Sequence, residues 1–260
     1  MKAKNAGPKR LLQDRVVWVI GASGAIGSVV SDVLAAQGAM VVASGRRANV
    51  LDAVVTRIAV AGGRAKSRPL DICDRADIER ASTEIVQEFG TVDGLVNSTA
   101  LSIFGDFLEL TDEQWLQVLD AKLLGYIRSM RAVLPQMIKQ GRGGIVNVSG
   151  RGGRQPTPAH LPGGCANAAI NLLTKGISDT YVKHGIRANV VSPGPIASDR
   201  FEKIRASNAR LTGGAVPRPG ADRMGDPGDV ANAVLWLLSD QSRHTTGAVI
   251  PVDGGGTATV

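Results

Sequence analysis

Aromatic side chains are scarce, at 3% of the 260 residues, and only two of them are tyrosines, Tyr126 and Tyr181. So few rings exclude the stacking platforms that hold single-stranded nucleic acid. They also restrict phenol chemistry to two positions. Two cysteines, Cys73 and Cys165, are too few for a disulfide framework or a cysteine-built metal site, and no metal is expected. No apolar run reaches membrane-spanning length. The N-terminal lysines followed by Val16-Val17-Trp18-Val19-Ile20 have the outline of a signal peptide. Gln13-Asp14-Arg15 interrupts that outline, however, and the apolar run leads into a glycine loop that needs it as a strand. A cytoplasmic protein is expected.

The chain does have an excess of positive charge, with 30 Lys and Arg against 23 Asp and Glu and a net charge of +7. The basic residues are scattered, apart from Lys2, Lys4, Lys9 and Arg10 in a basic tail over 1–10. A nucleic-acid footprint requires a clustered stripe, so the charge reads as a soluble basic surface. At 43% hydrophobic and 20% charged, 260 residues suit one large α/β domain spanning the chain.

The apolar pattern alternates between short β-branched runs and helical spacing. Strands are expected at Val16 to Ile20, Met40 to Ala43, Gly94 to Val96, Gly144 to Val148, Ala188 to Val191 and Ala248 to Val252. Helical spacing runs from Ile26 through Leu34, from Leu51 to Val60, and over 75–89, 112–139, 165–183 and 228–239. Strict alternation predicts a doubly wound, mostly parallel Rossmann-type sheet with helices on both faces. Residues 197–227 have weak apolar periodicity with several Gly and Pro, so a mobile substrate flap is expected there.

Gly21-Ala22-Ser23-Gly24-Ala25-Ile26-Gly27 lies between the first strand and its helix. Glycines at that point let the backbone approach a pyrophosphate lying at the helix N-terminus. The second strand ends Ala43-Ser44-Gly45-Arg46-Arg47, with no acid to hold a ribose 2′-hydroxyl. NADP(H) is therefore expected over NAD(H), with Arg46 the favoured 2′-phosphate contact and Arg47 the second.

From here the sequence resembles the short-chain dehydrogenase/reductase family over nearly its whole length. The glycine loop is similar to that family's, with Ile20 where threonine is usual and Ala25 at a common glycine position. Asp71-Ile72 resembles the pair that meets adenine, and Asn97-Ser98-Thr99-Ala100 the family's Asn-Asn-Ala-Gly segment. Ser192-Pro193-Gly194-Pro195-Ile196, with Ser198, is similar to the segment at the nicotinamide end. Arg223-Met224-Gly225-Asp226-Pro227, Asp229-Val230-Ala231 and Val252-Asp253-Gly254-Gly255 complete the likeness. It implies hydride transfer between NADP(H) and a carbonyl or alcohol. It also implies a cofactor site drawn from Gly21, Ser23, Gly24, Ala25, Ile26, Gly27, Asp71, Ile72, Asn97, Ser98, Thr99, Pro193, Gly194, Ile196 and Ser198, and a homotetramer.

In the family a tyrosine supplies the proton, a lysine lowers its pKa and holds the ribose, a serine binds the substrate oxygen and an asparagine supports the lysine. The spacing Ser-x12-Tyr-x3-Lys, anchored on Ile145-Val146-Asn147-Val148, falls on Gly150, Gly163 and Asn167, and the asparagine position falls on Lys122. All four side chains are replaced. Lys122 and His160 are the candidate proton relays, and Asn167 is a neutral candidate for the ribose. Ser149 reads as structural, Cys165 as core filler and Tyr126 as a remote candidate four residues after Lys122. Arg151 and Arg154 favour an anionic substrate. Three functions remain open: a reductase with a rebuilt site, a lyase or hydrolase on the same scaffold, and a non-catalytic NADP-binding partner subunit.

Overall fold

A computed structural model describes residues 10–214 and 224–257. Seven strands form one sheet: β1 (Val16–Ile20), β2 (Met40–Gly45), β3 (Arg64–Pro69), β4 (Gly94–Asn97), β5 (Gly143–Val148), β6 (Ile186–Pro193) and β7 (Val249–Val252). Their order is β3-β2-β1-β4-β5-β6-β7 and every pairing is parallel. The winding reverses between β1 and β4, which opens a crevice at the carboxyl ends of the strands.

The period-two geometry of β1 explains the two cores. Val17 and Val19 face a layer made with α1 (Ala25–Ala36), α2 (Ala48–Val60) and α8 (Pro227–Leu238). Val16, Trp18 and Ile20 face the other layer, with α3 (Arg75–Phe89), α5 (Gly125–Gln140) and α6 (Leu161–Tyr181). Both faces are covered, so the strand is continuously apolar. Trp18 is fully buried and its indole N–H donates to Ser44 Oγ at 2.9 Å. No helix among the described residues is long and apolar enough to cross a membrane.

Three features depart from the sequence reading. The third strand, Arg64–Pro69, is mostly polar and half-exposed because it lies at the sheet edge, so no apolar run announces it. The segment expected as a flap contains a helix, α7 (Asp199–Thr212), capped by Ser198 Oγ, which accepts from the Phe201 N–H. The rest of that segment, 215–223, and the basic tail over 1–9 lie outside the described residues. The helical pattern over 112–139 is α4 (Asp112–Leu119) joined to α5 by a π turn, Asp120–Leu124.

Trp18→Ala is expected to lower stability by about 3–5 kcal/mol, the usual cost of deleting a buried indole. Val60→Ala, at a side chain 86% exposed, is expected to cost less than about 0.5 kcal/mol. Urea unfolding of both variants checks the contrast.

Candidate functional site

The crevice is a cleft of about 490 Å³. Its floor is made by Gly24 to Ile26 after β1, Ser98 to Ala100 after β4, Val148 to Gly150 at β5 and Pro193 to Ile196 at β6. Residues of α7 close one side.

At the β1 end the glycines are required by close packing. A Cβ on Gly21 would meet Ser98 O at 2.4 Å, and one on Gly27 would meet Gly21 O at 2.2 Å. The N-terminus of α1 has no side-chain cap and no acid in its first turn, so its N–H groups at the cleft suit an anion. Arg47 lines the cleft and donates to Ser23 O. Arg46, the favoured residue in the sequence, is exposed and is not part of the lining. Asn97 also departs from expectation. Its amide donates to Asn147 Oδ1 at 2.9 Å and its oxygen accepts from Ser129 Oγ at 2.8 Å. It is buried beneath the cleft and braces β4 against β5. Asp71 accepts from the Cys73 N–H, and Ile72 packs where a Cβ on Gly125 would fall. Ser98, Thr99, Pro193, Gly194, Ile196 and Ser198 all line the cleft.

The other end is built around Lys122. The π turn inserts an extra residue into the helical run, a feature frequent at functional sites, and Lys122 there is only 6% exposed. Its Nζ reaches Thr99 O and Val148 O at 3.3 Å and Ser149 O at 3.5 Å. It lies 5.5 Å from the ring centre of Tyr126, whose hydroxyl donates to Val148 O at 3.0 Å. Burial, with repulsion from Arg200 second, lowers the Lys122 pKa to about 7. Burial raises the Tyr126 phenol well above its ordinary value. Tyr126 supports Lys122 from below and is not among the lining residues.

Gly163 and Gly150 do not leave empty space. A Cβ on Gly163 would fall 1.9 Å from His160 Cε1, so the imidazole occupies that volume. A Cβ on Gly150 would fall 2.9 Å from Asn167 Nδ2, so the asparagine closes the second one. His160 stands edge-on to Phe104, and its Nε2 lies 3.2 Å from Arg200 Nη2. A guanidinium can only donate, so Nε2 is the accepting nitrogen. Burial, then the Arg200 and Lys122 charges, lower the His160 pKa to about 3. The ring is therefore neutral near pH 7, with its lone pair committed to Arg200. That argues against the proton-relay role expected of it. Asn167, 5% exposed, has its Oδ1 without a partner among the described residues. Cys165 is exposed on α6, not core filler. Arg151 lines the cleft, whereas Arg154 is exposed and not part of the lining.

Sequence reasoning missed Arg200, Phe104 and Ser102. The signal available for Arg200 was Ser198 followed by Asp199 and Glu202, a helix start in a stretch with weak apolar periodicity.

Comparison with known proteins agrees with this architecture. The model of the enoyl-(acyl carrier protein) reductase family matches residues 21–257. A 3-oxoacyl-[acyl-carrier-protein] reductase, FabG, of Thermotoga maritima is 32% identical over 244 residues, covering 94% of this chain and 98% of its own. The chain belongs to the short-chain dehydrogenase/reductase family. An A-factor type gamma-butyrolactone 1′-reductase of Streptomyces virginiae is 33% identical, covering 94% and 96%. Among solved structures, an actinorhodin polyketide ketoreductase variant with NADPH superposes with a TM-score of 0.89 at 27% identity, covering 94% and 98%. A gluconate 5-dehydrogenase from Burkholderia cenocepacia J2315 with NADP and tartrate gives 0.87 at 25%, covering 97% and 99%. Fold and relatives together make this an oxidoreductase-type scaffold for a nicotinamide nucleotide.

Lys122 is a charge buried without a carboxylate, so the fold bears a cost for it. Lys122→Met is expected to raise the unfolding free energy by about 1–3 kcal/mol near neutral pH. The folded pKa is depressed below the unfolded value of 10.5. Between pH 10.5 and about 7 the unfolded chain therefore takes up the proton first, and the wild type loses stability as pH falls. The gain from Lys122→Met should thus be full below pH 7 and vanish towards pH 10.5, as measured by denaturant melts across that range.

Proposed function

We propose that the protein is an NADP(H)-dependent carbonyl reductase whose proton donor is the Lys122 ammonium. The observation that carries this reading is a buried lysine at the cleft, with its pKa brought to about 7, beside a tyrosine position that is glycine. The crevice fits the nucleotide. Uncapped N–H groups at α1 suit the pyrophosphate, Arg47 after β2, bonded to Ser23 of the glycine loop, suits the 2′-phosphate, and the unpartnered Asn167 Oδ1 suits a ribose hydroxyl. When bound, the nicotinamide supplies the hydride that reduces the carbonyl carbon.

The chain's own part is the proton. Below pH 7 Lys122 is an ammonium held against the carbonyls of Thr99, Val148 and Ser149. As negative charge develops on the substrate oxygen, the N–H on Ser149 O, the longest contact at 3.5 Å, turns to that oxygen, its bond to Nζ breaks and the proton passes across. The amine left behind is stable in its neutral form, since burial disfavours the charge. Solvent entering the cleft restores the proton. The family resemblance and the exposed Leu116, Leu124 and Leu172 (77% exposed) on α4, the π turn and α6 support a homotetramer. Light scattering of the purified protein measures it.

Reduction of a panel of small ketones is expected to fall as pH rises through about 7, and Lys122→Met is expected to lose at least about a hundredfold in kcat. NADPH bound tightly with no oxidation across the panel would instead support the partner-subunit reading. Arg47→Ala is expected to weaken NADPH binding by about tenfold or more while leaving NADH unchanged. Equal dissociation constants for NADPH and NADH in the unaltered protein would remove the NADP preference.

A further inference from the structure

We infer that Arg200 is a built binding site for the carboxylate of the substrate, which makes the substrate an oxo acid. The inference deepens the reductase reading, because it specifies what occupies the same cleft. Arg200 is half-buried at the start of α7, with its guanidinium 5.0 Å from the Phe104 ring centre. Its Nη1 donates to Leu101 O and to Ser102 Oγ at 3.3 Å, and its Nη2 lies 3.2 Å from His160 Nε2. Each of these partners is neutral. Among the described residues no carboxylate pairs with it, and Glu202, two residues on in the same helix, is engaged by Arg205. Asp199 is the only carboxylate in the described lining, and it is exposed.

Neutral acceptors and the Phe104 face favour the guanidinium, but partial burial, the nearby Lys122 ammonium and the helix end oppose it. Lys122 lies close enough for each charge to disfavour its neighbours, and the first turn of a helix is its positive end. Burial lowers the Arg200 pKa only to about 10, so the charge persists at neutral pH. A fold that stabilises itself does not collect these costs. An anion seated here relieves all of them at once. Three of the five N–H donors hold the guanidinium in place, and Nε–H and one Nη2–H make no hydrogen bond among the described residues. Two donors suit the two oxygens of a carboxylate. Lys203 at the same cleft adds positive potential along the approach.

The test uses pyruvate, acetoacetate and levulinate, each against its methyl ester, titrated calorimetrically into the full-length protein saturated with NADP+, so that no reduction runs. At least one acid is expected to bind about tenfold or more tighter than its ester and to raise the melting temperature where the ester does not. Arg200→Met is expected to erase the difference, Arg200→Lys to keep part of it, and the charge control Lys183→Met, at a remote exposed site, to leave it intact. Equal binding of every acid and its ester in the unaltered protein would overturn the assignment, whether or not the variants fold. A preference surviving in folded Arg200→Met would do the same. The two readings fail separately. Acids bound without NADPH oxidation keep this subsite and reject the reductase, whereas esters reduced as well as acids keep the reductase and reject the subsite.

Discussion

Two positive charges, on Lys122 and Arg200, share one partly dry cleft with no carboxylate between them among the described residues. Much of the surrounding structure is arranged to hold them. Backbone carbonyls of Thr99, Val148 and Ser149 face the ammonium, and a tyrosine ring lies beneath it. The guanidinium is held by Leu101 O, a serine hydroxyl, a phenylalanine face and a histidine lone pair. Neutral acceptors stabilise a cation without cancelling its charge. The field therefore remains available to whatever enters the cleft.

The scaffold makes this arrangement possible because parallel strands deliver many chain segments to one edge. The carboxyl ends of β1, β4, β5 and β6 all open at the switch point. One half of that edge follows the family pattern, with glycines packed too closely to carry side chains. In the other half, three small or neutral residues and a lysine stand where the resemblance places the catalytic group. His160 and Asn167 stand where a Cβ on Gly163 and Gly150 would fall.

Much of the fold could be read in the chain. The apolar runs that became β1, β2, β4 and β5 are buried on both faces, and that environment writes an unmistakable signal. Helix α3 begins one residue after Asp74, whose carboxylate accepts the Ala76 N–H, and its span matched the reading. Edge strand β3 was silent because exposed alternation of basic and small residues resembles a loop. Helix α7 was silent because none of its residues is buried, so no apolar stripe marks it. Arg47 and Arg46 are adjacent, and only the turn into α2 decided which one meets Ser23.

The sequence by itself determined the doubly wound sheet, the glycine loop, the absence of an acid after β2 and the glycine at position 163. These are local patterns, fixed by periodicity and by what a backbone position tolerates. Tertiary structure alone decided that His160 stands where a Cβ on that glycine would fall, that it is a neutral acceptor and that Arg200 is its partner. Those facts depend on residues 40 positions apart meeting in a desolvated space. Charge and protonation there follow from burial and neighbouring cations, and neither is a property of a sequence window.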